Sequence, residues 1–242
     1  MMFGRNRRAA TPDEPLDPAD ETGLDELEQD EEGVEFDAEE LEDELADEGL
    51  DLVASFDERE DGPFDIDEVE LGGDEVQRID LGTLILTPWP GLNLQLQVQE
   101  ATKQVRAVTG VWRKSGIEVA LFAAPASGGL AAEQQEELTE QAQAAGGSAE
   151  VGAGPFGPEL RRILPQTGPN GEQLFHVSRV WFAEGPRWLL RGTLLGEAAL
   201  PDGDAKARPF VEFFRNLIVR RGTKPMVPGE LLTMDLPKQN QG

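Results

Sequence analysis

The sequence predicts an α+β fold, a mostly antiparallel sheet with helices packed on one face, behind a disordered acidic tail. Three observations predict it. The charge is confined to one end: residues 1–75 carry 31 Asp and Glu against four Arg, while residues 76–242 hold 17 acids and 17 bases. Two segments, 105–124 and 173–195, each read as a pair of apolar runs broken by a glycine-containing turn, the signature of a β-hairpin. Finally, Phe210, Phe213, Phe214, Leu217 and Ile218 recur at i, i+3, i+4, i+7 and i+8, a helical stripe wide enough to face a core.

The formal charge of −27 therefore belongs to the N-terminal stretch alone, and the sequence pI of 4.2 does not describe the rest. Acid at that density, with few β-branched or aromatic residues, cannot bury enough apolar surface to offset the entropy of ordering. Residues 1–61 are expected to form the disordered tail, 62–237 a single α+β domain, and 238–242 a disordered C-terminus. Inside the tail, apolar residues punctuate the acid, with Leu41 and Leu45 four apart. Such acidic–hydrophobic alternation suits either a solubilising tail or one that docks on a partner.

Order is expected from Gly62-Pro63-Phe64. Val76–Pro88 reads as a strand ended by Trp89-Pro90-Gly91. Leu92–Gln99 alternates strictly, with Leu92, Leu94, Leu96 and Val98 on one face and amides on the other. The first hairpin, Val105–Arg113 with Ile117–Ala124, precedes an Ala-, Glu- and Gln-rich helix at Leu130–Ala145, which Gly146-Gly147 ends. A short helix near Pro158–Leu164 follows. The second hairpin, Gln173–Ala183 with Arg187–Leu195, turns at Glu184-Gly185-Pro186. The last helix is expected through Arg208–Arg221, starting little upstream of Ala207 because Pro209 belongs to a first turn. Residues Val108, Val111, Trp112, Gly116, Val119 and Leu121 have counterparts at Val177, Val180, Trp181, Gly185, Trp188 and Leu190, all 69 positions on. That spacing suggests a duplicated β-β-α unit or two unrelated tryptophan hairpins.

Several chemistries are disfavoured. With no cysteine there is no disulfide and no thiolate, and one histidine leaves only carboxylates as metal ligands. Neither metal nor cofactor is expected. Gly152-Ala-Gly154-Pro-Phe-Gly157 fits the dinucleotide pattern G-x-G-x-x-G, but Pro155 and Pro158 remove backbone donors where a pyrophosphate needs them. His176 lies two residues from Ser178 in one strand, which is not a nucleophile–base arrangement. Asp202-Gly-Asp204 is read as a cap of the last helix. No apolar run reaches the ~18 residues of a membrane span, and the basic start lacks an apolar signal region. A cytoplasmic location is expected.

What remains is arginine beside tryptophan. Trp112, Arg113, Arg179, Trp181, Arg187, Trp188 and Arg191 lie on the hairpins, and Arg215, Arg220 and Arg221 gather towards the end of the last helix. These two residue types are enriched at interface hot spots and in single-stranded nucleic-acid grooves. The ten form the candidate binding set. A neutral domain lacks the electrostatic footprint of a nucleic-acid binder, so a protein partner is favoured over nucleic acid.

Four stretches also resemble a known family: Arg78-Ile-Asp-Leu-Gly82, Gly110-Val-Trp-Arg113, Glu184-Gly-Pro-Arg-Trp-Leu-Leu-Arg-Gly192, and Val219-Arg-Arg-Gly222 followed by Pro225. They are similar to an actinobacterial family described only as a domain of unknown function. The resemblance covers about 62–237, and its Glu-Gly-Pro-Arg-Trp stretch is the most specific part. It implies a basic start and an acidic tail, and genes lying near a dUTPase and an OB-fold protein. It supplies no catalytic residues. The expectation is a non-enzymatic binding or adaptor protein whose acidic tail engages a basic partner or its own domain. A nucleotide- or nucleic-acid-related enzyme or small-molecule binder, and a chaperone-like client binder, are the alternatives.

Overall fold

A computed structural model describes Arg59 and residues 61–73 and 76–237. The expected disordered tail, apart from Arg59 and Asp61, and the expected disordered end at 238–242 lie outside the described residues.

Seven antiparallel strands form the main sheet, in the order β4-β5-β6-β10-β9-β8-β7. They are β4 (Asn93–Gln99), β5 (Gln104–Trp112), β6 (Ser115–Ala123), β7 (Ser148–Gly154), β8 (Gly157–Thr167), β9 (Gln173–Gly185) and β10 (Trp188–Gly196). A small second sheet, ordered β1-β11-β3-β2, joins β1 (Phe64–Asp65), β2 (Ile79–Asp80), β3 (Leu84–Leu86) and β11 (Ile218–Val219). Helix α1 spans Leu130–Ala144 and α2 spans Asp204–Arg215.

Side chains alternate across a strand. Val180, Phe182, Leu189 and Leu160 pack with Leu130 and Leu138 of α1. Their neighbours Trp181, Ala183, Trp188 and Leu190 pack with Phe210, Phe213 and Phe214 of α2. The two helices therefore cover opposite faces, not the single face expected.

The duplicated unit is not present with tryptophan on tryptophan. The first hairpin turns at Arg113-Lys114, immediately after Trp112, which pairs with Ser115. The second turns at Pro186-Arg187, five residues beyond Trp181, which pairs with Gly192. The 69-residue offset thus places Gly116 after one turn and Gly185 before the other.

Three further elements differ from expectation. Val76–Pro88 is two short strands, because Gly82 takes φ 80° and donates its N–H to Asp80 Oδ1 at 2.7 Å, turning the chain. Pro158–Leu164 is part of β8, paired with β7 and, from Leu160 onward, with β9. Its helix-forming composition yields to the ladder that β9 supplies. The last helix starts at Asp204 and stops at Arg215, where the Asn216 side chain donates to Glu212 O at 2.7 Å. Leu217 and Ile218 stay buried, but the chain there is extended and enters the small sheet.

One long-range contact closes the sheet. β5 and β6 pair from Val108 and Val119 to their turn and have no mutual ladder beyond. Residues 230–235 enter that gap. Ala123 N–H donates to Glu230 O, Leu232 N–H to Leu121 O, and Val105 and Met234 exchange both bonds, each at 2.8 Å. Backbone groups that would otherwise be buried unpaired are satisfied there. Met234 is fully buried, so Met234→Ala should cost about 2–5 kcal/mol from its cavity. A urea titration should show the midpoint falling; an unchanged midpoint would mean that this segment is not part of the cooperative fold.

Candidate functional site

The structure does not bring the ten arginines and tryptophans together. β6 and β10 pair with Gly196 opposite Ser115 and Trp188 opposite Ala123, so the two hairpin turns sit at opposite ends of the sheet. Trp181 and Trp188 are 1% and 0% exposed and belong to the core. Trp112 is half-buried edge-on to Trp89, with Arg113 stacked on its ring at 4.2 Å. Arg187 is exposed in its turn at φ 62°. Arg215 pairs with Glu212, Arg220 with Asp80, and Arg221 donates to the carbonyls of Arg187, Gly222 and Lys224.

The stretch Glu184–Gly192 explains itself residue by residue. Glu184 accepts the N–H groups of Gly129 and Ala131 at 3.0 and 3.1 Å, capping α1 from outside the helix. Gly185 leaves room for the Trp188 ring, which a Cβ would meet at 2.1 Å. Trp188 donates its indole N–H to Asp65 Oδ2 at 2.7 Å and so holds the N-terminal segment against the sheet. Leu189 and Leu190 serve opposite faces. Gly192 admits the Phe214 ring, 2.7 Å from where a Cβ would stand. Pro186 and Arg187 form the exposed turn, and Arg191 lies over the Phe122 ring.

Two polar constellations stand out. The first is on the α2 face. Glu159, 0% exposed, accepts Trp181 Nε1–H at 2.6 Å, Arg179 Nε–H at 2.9 Å and Arg161 Nε–H at 2.9 Å. Arg179 also donates to Asp204 at 2.6 Å, tying the ladder to the start of α2. Asp204 was expected as a cap; it is instead this ion-pair partner, and Gly203 occupies the cap position. The bond to Glu159 raises the Arg161 pKa above its ordinary value. A cleft of about 190 Å³ opens beside this network, with Arg161, Arg162, Ile163, Arg179, Leu200 and Asp204 in its lining.

The second is on the α1 face. α1 packs over β7, β8 and β9, and the sheet beyond it carries Gln95, Gln97, Thr109, Glu118 and Thr193, all exposed or half-buried. Gln97 Nε2 donates to Thr109 and Glu118, linking β4, β5 and β6 across the surface. At the border with α1, half-buried Arg191 donates to Gln134 at 3.1 Å and lies over the Phe122 ring at 4.7 Å. Arg162, opposite Ser178 in the β8–β9 ladder, shares this face. Desolvation lowers the pKa of both arginines; for Arg191 the charges of Glu118 and Glu137 act the other way. Neither arginine has a carboxylate within ion-pair distance among the described residues. Sequence reasoning found Arg191 but missed Arg162, Ser178 and Gln134, because a helix at 158–164 hides the pairing that brings Arg162 and Ser178 together.

The dinucleotide-like glycines form the β7–β8 turn, with Phe156 buried against Trp181 at 5.5 Å between ring centres. His176 is exposed, whereas Ser178 is fully buried. No group of three or more His, Cys, Asp or Glu able to hold a metal ion occurs among the described residues. No described helix is long and apolar enough to cross a membrane.

The family described as "Protein of unknown function (DUF3710)" matches residues 62–242. The chain belongs to this family. No curated protein and no solved structure matches it. The family's matched span contains both polar constellations.

Breaking a buried ion pair by neutralising one partner typically costs about 3–5 kcal/mol. Glu159→Gln should therefore destabilise strongly, and Trp181→Phe should lose one charge-assisted hydrogen bond worth roughly 1.5–3 kcal/mol together with part of a fully buried ring. Calorimetry of both variants and the double variant should show sub-additive losses. Full additivity would mean that the two groups act independently.

Proposed function

We propose that this chain is a non-enzymatic binding or adaptor protein that offers the uncovered polar face of β4, β5, β6 and β10 to a partner protein. The observation that carries this reading is the extent of that face. α1 stops short of it, and amide and hydroxyl side chains line it in register across four strands. Groups such as Gln97, Thr109 and Thr193 can both donate and accept, and a flat sheet keeps them aligned for an extended segment. The acidic N-terminal stretch, with most of the chain's acid, gives the adaptor a second contact of opposite character, suited to a basic partner.

A chaperone-like variant of this reading has one observation of its own: among the described residues β7 ends the sheet with one neighbour, β8, leaving an edge on which an extended client could add as a strand.

A photo-crosslinking residue at Thr109 should trap a discrete partner in cells, whereas the same residue at Glu136, on the exposed side of α1, should not. Gln97→Arg should cut the Thr109 crosslink at least ~10-fold at unchanged melting temperature, the loss of one interface hot spot. Equal labelling from both positions would sink the reading. A nucleotide that raises the melting temperature in a parallel screen would favour the small-molecule class instead.

A further inference from the structure

Arg162 and Ser178 face each other across the β8–β9 ladder on the α1 side of the sheet. Both carry a buried polar atom that makes no hydrogen bond to any described residue: Nε of Arg162 and Oγ of Ser178. Ser178 is 0% exposed. Two orphaned polar atoms on directly opposed residues are unusual, since buried polar groups in folded proteins are nearly always satisfied. Arg162 also makes no ion pair among the described residues, and burial is the sole cause acting on its pKa. Arginine cannot shed its proton to escape this cost, so a counter-charge is the remaining remedy. Arg191, the second half-buried cation of the same face, is close enough for Arg162 to act on its pKa, and its bond to Gln134 is to a neutral amide.

The ligand must bring a negative charge to this border between α1 and the open sheet. Its character follows from the surroundings. The last turn of α1 ends beside Arg162: Gly147 N–H bonds to Ala142 O at 2.9 Å, and a Cβ on Gly147 would meet Ile163 O at 2.3 Å. Helix C-termini carry partial negative charge, and Glu118 and Glu137 lie within electrostatic reach of Arg191. Such a setting favours singly charged groups, one for each arginine, over the two charges that a phosphate group concentrates at one point, which helix N-termini favour. A carboxylate also matches the planar fork of a guanidinium in a bidentate pair.

We infer that the border between α1 and strands β8–β10 binds an acidic peptide segment, one carboxylate seated on Arg162 and a second within reach of Arg191. This rests on the partner-binding reading above and names the partner's chemistry. Apolar contact is minor here; charge-assisted hydrogen bonds carry the recognition.

The test uses the full chain at about 150 mM salt, where the acidic N-terminal stretch is screened beyond roughly 8 Å. The probes are a short acetylated peptide of alternating Glu and Ser, its Gln-for-Glu counterpart, and inorganic phosphate, each titrated by calorimetry. Saturable binding of the Glu peptide is expected, with the Gln peptide at least ~10-fold weaker. Arg162→Gln and Arg191→Gln should each weaken the Glu peptide roughly 10- to 100-fold, the loss of one charge-assisted pair. Arg162→Lys should fall between, keeping charge without the fork. Arg113→Gln, at the far turn, should change nothing. Should Arg162→Gln fail to fold, Arg191→Gln and Thr193→Glu carry the test. The inference is overturned by equal binding of the two peptides, by indifference to both arginine changes, or by phosphate binding where the Glu peptide does not. If peptide binding fails while the Thr109 crosslink persists, only this inference falls; if the crosslink fails while the peptide binds, the partner-face reading falls and the anion site stands.

Discussion

The buried carboxylate of Glu159 is the constraint around which this fold is arranged. A charge at 0% exposure is tolerated only when its lone pairs are filled, and three donors fill them here from two adjacent strands. Those donors fix the pairing of β8 with β9, since Arg161 and Arg179 are directly opposed. They also fix the Trp181 ring, whose N–H must reach Glu159. The ring in turn sets the packing of Phe156 and Phe214, at 5.5 and 5.8 Å between centres. The bond from Arg179 to Asp204 then locates the first turn of α2. Apolar burial supplies the larger driving force, about 1.5–3 kcal/mol for each side chain such as Phe210, Phe213 or Phe214. The ion network, costly to desolvate, adds register rather than raw stability.

Register on one face dictates chemistry on the other. Because strand side chains alternate, placing Glu159 and Arg161 towards α2 places Leu160 and Arg162 towards α1. A one-residue slip of β8 would bring Leu160 to the ion network and Glu159 beneath α1, exchanging a satisfied carboxylate for a buried unpaired one. The cation at Arg162, without a carboxylate partner among the described residues, and the saturated cluster at Glu159 are thus two consequences of one strand pairing. The wedge formed by residues 230–235 acts similarly at the other side of the sheet: it lets β5 and β6 diverge without leaving their backbone groups unpaired.

How much of this was readable beforehand follows the range of each interaction. β4, both hairpins and α1 were legible because alternation, turn residues and helix formers are local. β8 was not. Glu159-Leu-Arg-Arg-Ile-Leu164 is a run of good helix formers, and only the facing β9, extended over Gln173–Gly185, makes it a strand. The same misreading concealed the Arg162–Ser178 pair. The helical stripe through Ile218 was half right: its phenylalanines line α2, while Leu217 and Ile218 reach the core by another route. Adjacent Arg and Trp in sequence suggested one surface, yet Trp188 begins β10 and enters the core, while Arg187 stays in the solvent-exposed turn.

The uneven covering of the sheet is the last link between sequence and recognition. α1 buries only Leu130, Gln134 and Ala142; alanine-rich, it brings little apolar surface to the sheet. It packs over β7–β9 and leaves the rest exposed, and those exposed strands answer with Gln, Thr and Glu. α2, by contrast, drives three phenylalanines into the other face, and Gly192 is bare so that Phe214 can lie against β10. One helix is built to seal its face, the other to border an open one. Across that open face, amides and hydroxyls form a hydrogen-bonded ladder with Glu118, and it ends at two arginines that have no carboxylate partner among the described residues.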